Sequence, residues 1–157
     1  MPPAPVRAVT PAPATFDPSD AQVAHQVAGF IGNVRSLSID PVVVRQNWLR
    51  AYDMATDRAA ATLDECARDN DPFADIGRRS RAAEMISVVR VTETSFQARW
   101  LEKTYEAGTL TGPRRFTGHF TLVHNTPRGA ATLQANPLGL YIHSLNWGED
   151  LVAGDRP

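Results

Sequence analysis

The apolar residues of this chain change their spacing near its middle, and this change restricts the folds it can adopt. Between residues 19 and 70 they recur every three or four positions, as on one face of a helix. From about Ala83 onward apolar and polar residues alternate, as in strands with one buried face. Helices followed by antiparallel strands predict an α+β fold, with helices packed against one face of a curved sheet.

Three helices are predicted in the first half of the chain. Ser19 or Asp20 can cap the first, because either side chain accepts hydrogen bonds from the free amides of a first turn. Asp40-Pro41 marks the second start, where proline gives up no hydrogen bond. Asp57 is expected to cap a short third helix, which Asn70-Asp71-Pro72 ends. The buried face of the first helix is expected to comprise Val23, Val27, Phe30, Ile31, Val34 and Leu37.

Four strands are predicted in the second half. The first starts near Ala83, Thr94-Ser95 turns the chain into the second, and a turn over residues 106–113 leads into the third. The last runs from about Leu140 to Trp147 and is unusual, because alternation makes both of its faces apolar. One face holds Leu140 and Ile142, and the other holds Tyr141, Leu145 and Trp147. This second apolar face is expected to be covered by another chain.

The stretch Asn136-Pro137-Leu138-Gly139 predicts a type I turn directly before the last strand. Asparagine at the first position bonds forward to the backbone, proline presets the second torsion, and glycine relieves crowding at the exit. Such a turn either only feeds the strand or also fixes the position of a contact surface.

Composition excludes several classes of function. The chain has 157 residues, and 16 basic against 17 acidic side chains leave a net charge of -1, so bulk electrostatic binding of nucleic acid is not expected. Its single cysteine, Cys66, builds neither a disulfide framework nor a four-cysteine zinc site. No apolar run has the roughly 18 residues that span a bilayer. No cofactor, metal ion or nucleotide loop is predicted.

An enzyme or small-ligand binder with an internal pocket is the alternative that the residues leave open. Its nearest acid-base candidates are Tyr52, Asp53 and His143, which would need to point into a cavity. The interpretation in which the last strand is a contact surface predicts no catalytic residues at all.

Residues 1–18 are rich in proline and predict a linker that is expected to be disordered. This linker is either a plain terminus or a tether to an anchor. Residues 19–152 predict one folded domain, and residues 153–157 a short tail.

Several stretches together resemble TrbF-type conjugal transfer proteins, which belong to the inner-membrane assembly-factor family of type IV secretion systems. The similarity runs from about Val23 to Leu151. The stretches that carry it are Arg50-Ala51-Tyr52-Asp53, Asn70-Asp71-Pro72-Phe73-Ala74, Gln97-Ala98-Arg99-Trp100-Leu101-Glu102-Lys103-Thr104-Tyr105, Asn136-Pro137-Leu138-Gly139-Leu140-Tyr141-Ile142 and Asn146-Trp147.

The resemblance implies a cone of the nuclear-transport-factor type, with about three helices packed on a curved four-stranded antiparallel sheet. It implies a non-enzymatic, periplasmic domain that forms homo-oligomers and docks other channel subunits. It also implies an inner-membrane helix, which is absent from this chain. In the family the Asn-Pro-x-Gly turn is linked to these contacts, so Asn136, Pro137 and Gly139 are the predicted contact residues, together with Tyr141, Leu145 and Trp147 of the following strand.

Overall fold

A computed structural model describes residues 19–151 of the chain. Three helices come first, then three strands, a short helix and a final strand. These elements are α1 (Asp20–Arg35), α2 (Pro41–Asp53), α3 (Asp57–Asp69), β1 (Arg79–Arg90), β2 (Ser95–Glu106), β3 (Thr109–His124), α4 (Ala130–Ala135) and β4 (Leu140–Glu149). The predicted linker over residues 1–18 and the predicted tail over residues 153–157 lie outside the described residues.

The helices begin where side chains can satisfy free backbone amides. Ser19 and Gln22 bond reciprocally at the start of α1, each side chain accepting from the other residue's amide. Asp40 caps α2, as predicted. For α3 the prediction is wrong by one residue, because the hydroxyl of Thr56 accepts the capping bond. Asp57 is the first helical residue, where its negative charge interacts favourably with the positive end of the helix dipole.

The four strands form one antiparallel sheet in the order β1-β2-β3-β4. β1 starts at Arg79, earlier than expected, because its pairing with β2 extends to Glu106, the partner of Arg79. The Leu37 amide after α1 also donates to the Arg81 carbonyl at 2.9 Å. The turn between β2 and β3 is shorter than the predicted range 106–113. Only Ala107 and Gly108 form it, with φ of 50° and 84°, which is the positive torsion that a two-residue hairpin turn needs.

The core lies between α1 and what we call the inner face of the sheet, defined by Phe96, Ala98, Trp100 and Glu102 of β2. Phe30 of α1 meets Phe120 edge to face at 6.2 Å, and Trp100 stacks on Phe116 at 5.9 Å. All six residues of the predicted α1 face and its extension are buried: Val23, Val27, Phe30, Ile31, Val34 and Leu37. The predicted α+β fold, three helices against a four-stranded antiparallel sheet, is confirmed.

Candidate functional site

The predicted turn at Asn136-Gly139 is present and lies largely inside the protein. The Gly139 amide donates to the Asn136 carbonyl at 3.0 Å, which closes the turn. Gly139 has a φ of 64°, a torsion that glycine adopts without strain. The Asn136 side chain is buried and donates to the Leu140 carbonyl at 2.9 Å, whereas Pro137 is exposed.

Gln26 of α1 holds this turn in place. Its side-chain amide donates to the Asn136 side chain at 3.0 Å and to the Leu140 carbonyl at 2.6 Å. The turn is therefore anchored to the first helix as well as to β4. Asn136 and Gly139 shape the turn from within, and Pro137 is the member that a partner can reach.

A β-bulge in β4 overturns the predicted division of that strand into two apolar faces. Thr121 pairs with Ser144 and Leu122 with Ile142, so His143 is an extra residue between the two pairs. One extra residue reverses the alternation of side chains beyond it. Leu145 is consequently buried in the core and Trp147 packs against it, on the same face as Leu140 and Ile142. Of the three residues assigned to a second apolar face, only Tyr141 lies opposite that core-facing side.

β4 also forms one edge of the sheet, and part of that edge is open. The segment after α2 covers it at one position, where Ile142 donates to the Met54 carbonyl at 2.8 Å and accepts from the Thr56 amide at 2.9 Å. From Ser144 to Glu149, the outer edge has no backbone hydrogen-bond partner among residues 19–151. An open edge can pair with a strand of another chain.

Trp147 belongs to a buried ionic cluster that sequence reasoning missed. The Arg35 guanidinium lies 5.2 Å from its ring centre and donates two hydrogen bonds to Glu102, at 2.6 and 2.9 Å. The Trp100 indole donates to the same carboxylate at 2.8 Å, and Glu102 is only 4% exposed. The alternation of β2 already indicated this carboxylate, because Glu102 lies in phase with buried Trp100.

A groove with a volume of about 780 Å³ opens beside this cluster. It lies between the C-terminal ends of α1 and α3 and the inner face of the sheet. Its walls include Trp48, Phe116 and Trp147, and its charged groups include Arg35, Arg79, Arg81 and Glu102.

The candidate acid-base residues do not converge. The Tyr52 hydroxyl donates to Asp64 at 2.5 Å, whereas His143 hydrogen-bonds Thr56 at 3.1 Å. Thr56 caps α3 and Asp64 lies more than two turns further along, a separation of about 12 Å at the helical rise. Asp53 ends α2 and is exposed. This arrangement does not form the shared site that the enzyme alternative needs.

The Tyr52 hydroxyl gives a pH-dependent prediction. Burial and the hydrogen bond to Asp64 raise its pKa from 10.0 to about 12. The raised pKa stabilises the fold fully below pH 10 and that stabilisation is lost as the pH rises through about 12. In an ultraviolet titration of tyrosinate, we expect Tyr52→Phe to remove a step near pH 12. Asp64→Asn should move that step down, with Glu65→Gln as the control. A Tyr52 step at the usual value in the unaltered protein would contradict this.

The comparisons with known proteins decide the family. The sequence profile described as VirB8 protein matches residues 4–150. The chain belongs to the VirB8 family. The conjugal transfer protein TrbF of Rhizobium radiobacter is 29% identical over 143 residues, which cover 88% of this chain and 65% of TrbF. The predicted resemblance to this type IV secretion family is confirmed.

Solved structures share the fold of this VirB8-family chain. Agrobacterium tumefaciens VirB8 superposes with a TM-score of 0.75 at 17% identity, covering 85% of this chain and 94% of the other. TrwG, a type IV secretion component of Bartonella birtlesii, gives 0.73 at 12% identity over the same shares. The periplasmic domain of DotI gives 0.60 at 10% identity, over 85% and 98%. These likenesses confirm the predicted cone of the nuclear-transport-factor type.

The described part of this VirB8-family chain forms neither a metal-binding cluster nor an activated thiol. Within residues 19–151, no three His, Cys, Asp or Glu side chains are placed to hold one metal ion. Cys66 is half-buried, and burial raises the pKa of its thiol, which disfavours the reactive thiolate. No helix in this part is long and apolar enough to cross a membrane.

Proposed function

We propose that this chain is a structural subunit of a type IV secretion channel that serves conjugative DNA transfer. It acts by binding further copies of itself and other channel subunits, without catalysis. The observation that carries the proposal is the VirB8 profile match over residues 4–150. The named role of its relative TrbF in conjugal transfer supports the more specific part. The separation of the candidate acid-base residues Tyr52 and His143 is consistent with it.

The proposed self-association surface has two parts. One part, which we call the exposed end of β4, comprises Pro137 on the preceding turn and Tyr141, and the other is the open backbone edge from Ser144 to Glu149. Pro137 is exposed on the turn and Tyr141 is half-exposed on the outer side of the strand. Asn136 and Gly139 contribute indirectly, because they fix the turn that presents Pro137. Leu145 supports the strand from the core. Trp147 faces the groove and belongs to a separate contact surface.

The proposed location is the periplasmic side of the bacterial inner membrane. The periplasmic DotI domain, which has the same fold, supports this placement. Anchoring would come from a membrane helix outside this chain, with the proline-rich residues 1–18 as the tether. A net charge of -1 supports protein partners over direct binding of nucleic acid.

Charged substitutions on the exposed end of β4 test the self-association. We expect Pro137→Glu combined with Tyr141→Asp to weaken association of the membrane-anchored protein by about tenfold or more, measured with a split reporter in cells. Val89→Asp is the matched control, because Val89 is 49% exposed on β1, the opposite edge strand. Association that survives the double substitution, or that is lost equally with the control, would refute this surface.

A further inference from the structure

The groove beside Trp147 contains one buried carboxylate, Glu102, with Arg35 and Arg81 beside it. Arg35 donates two hydrogen bonds to Glu102, and its guanidinium lies 5.0 and 5.2 Å from the ring centres of Phe116 and Trp147. Arg81 lies at an ion-pair distance of 3.8 Å from the same carboxylate. Glu102 already accepts from Arg35 and from Trp100, so it has little capacity left for a third donor.

Arg81 retains donors that the protein does not use. Its Nε donates to the Arg35 carbonyl at 2.5 Å, which fixes the side chain in place. Its two terminal nitrogens make no hydrogen bond within residues 19–151, although the side chain is only 22% exposed and lines the groove. A guanidinium that is fixed, mostly desolvated and without an acceptor is prepared to bind a carboxylate through two parallel bonds.

Arg79 contributes a further positive charge that acts on Arg81. Its terminal nitrogens face Asp75 at 3.1 Å and Glu106 at 3.7 Å, but its Nε is buried with no acceptor. Burial first, and then the positive charges of Arg35 and Arg79, lower the pKa of Arg81. Both effects penalise the protonated form of Arg81, and a bound anion would relieve the repulsion.

The surroundings of these donors restrict the kind of anion. Trp147, Phe116 and Trp48 supply apolar walls. Six carboxylates and four arginines line the groove, so it repels groups with several negative charges. A single carboxylate beside an apolar side chain and a basic one matches this pattern. The volume of about 780 Å³ accommodates several such side chains.

We propose that this groove binds an acidic residue of a peptide segment from a partner protein. The carboxylate binds the terminal nitrogens of Arg81, and a neighbouring aromatic or aliphatic side chain packs on Trp147. This proposal rests on the docking function proposed above and specifies its surface and the chemistry of its partner. It separates docking, in the groove, from self-association, at the exposed end of β4.

Peptide titrations of the isotope-labelled full chain test the proposal by nuclear magnetic resonance. The probe is acetyl-Trp-Glu-Lys-amide, and acetyl-Trp-Gln-Lys-amide is its neutral match. We expect the glutamate peptide to shift the Trp147 indole signal saturably, with an affinity in the range of about 1 mM, and the glutamine peptide to bind about tenfold more weakly. Equal binding of the two peptides, or no shift, overturns the proposal. Tighter binding of inorganic phosphate at the same signals also overturns it, in favour of a small anion.

Substitutions of the groove arginines test whether Arg81 donates the hydrogen bonds to the peptide carboxylate. Arg81→Lys keeps the charge but loses the paired donors, and we expect it to weaken binding of the glutamate peptide by about tenfold. Arg79→Gln leaves the bond between Arg81 and the Arg35 carbonyl intact. It should weaken peptide binding about threefold, because it removes one positive charge from the groove. Arg99→Gln is the control, since Arg99 is exposed on the outer face of β2. Unchanged affinity in both groove variants contradicts the assignment.

The two proposals fail separately. Loss of the peptide result, with self-association still sensitive to Pro137→Glu and Tyr141→Asp, overturns only the groove assignment. If the peptide binds specifically but those substitutions leave self-association unchanged, only the β4 surface is overturned.

Discussion

Replacing Arg35 by alanine is expected to lower the free energy of unfolding by about 3–5 kcal/mol. The cause is the carboxylate that remains. Glu102 is 4% exposed and would lose both of its hydrogen bonds from Arg35, keeping only the Trp100 indole as a direct donor. Arg81 is at 3.8 Å and is held by the Arg35 carbonyl, so it compensates weakly. Contacts of the guanidinium with Phe116 and Trp147 are lost as well.

Urea unfolding of matched variants checks this value. Lys103→Ala breaks the ion pair with Glu84 at 3.2 Å, in which both side chains are substantially exposed, and should cost less than about 1 kcal/mol. The double variant Arg35→Leu with Glu102→Leu removes both buried charges and should be more stable than Arg35→Ala. If Arg35→Ala costs no more than Lys103→Ala, the ionic cluster does not stabilise the fold as described.

Replacing Gly139 by alanine is expected to destabilise the domain by about 3 kcal/mol, since two separate costs combine. At a φ of 64° any side chain strains the backbone. In addition, an added Cβ would lie 2.5 Å from the Asn125 carbonyl oxygen, which is backbone that cannot rotate away. The Asn125 amide donates to the Gly139 carbonyl at 2.8 Å, so a shift also disturbs this connection between β3 and β4.

Alanine variants of two other glycines separate the cost of backbone strain from the cost of a steric clash. Gly108 has a φ of 84° with no atom within 4 Å of an added Cβ, so Gly108→Ala should show the strain alone, about 1–2 kcal/mol. Gly148 has neither a positive φ nor a close neighbour, and Gly148→Ala should be nearly neutral. Thermal unfolding of the three variants should rank them in this order of damage. A Gly139→Ala variant as stable as Gly148→Ala would show that the turn tolerates a side chain.

The helices and their starts could be read from the sequence because the determinants are local. A serine before a periodic apolar run and an aspartate before proline satisfy amides within the same turn, whatever the rest of the chain does. The error at α3 has the same origin, since Thr56 and Asp57 are both competent caps and adjacent. The helix α4 has six residues, too few for a periodic pattern to be visible.

The assignment of faces in β4 failed because alternation is local only while the pairing is regular. The bulge at His143 lies in the pairing of β3 with β4, next to Ile142, which donates to the Met54 carbonyl and accepts from the Thr56 amide. A single inserted residue then moves Leu145 and Trp147 to the core side. Nothing in the strand's own residues marks that insertion.

The ionic cluster was missed for a different reason. Glu102 could be placed on the inner face from its phase with Trp100, but its partner Arg35 lies 67 positions away on α1. Only the packing of α1 across the sheet brings the two together. The groove and the unused donors of Arg81 follow from the same packing, so no motif could have indicated them.

A conjugative DNA transfer assay tests whether the protein is a channel subunit. In a donor strain that lacks the gene, we expect DNA transfer to be lost and to be restored by this chain behind a membrane anchor with a periplasmic signal. The chain expressed without an anchor should not restore transfer, and neither should the anchored chain with Pro137→Glu and Tyr141→Asp. Unchanged transfer in the deletion strain would show that the protein is not a required subunit of the channel.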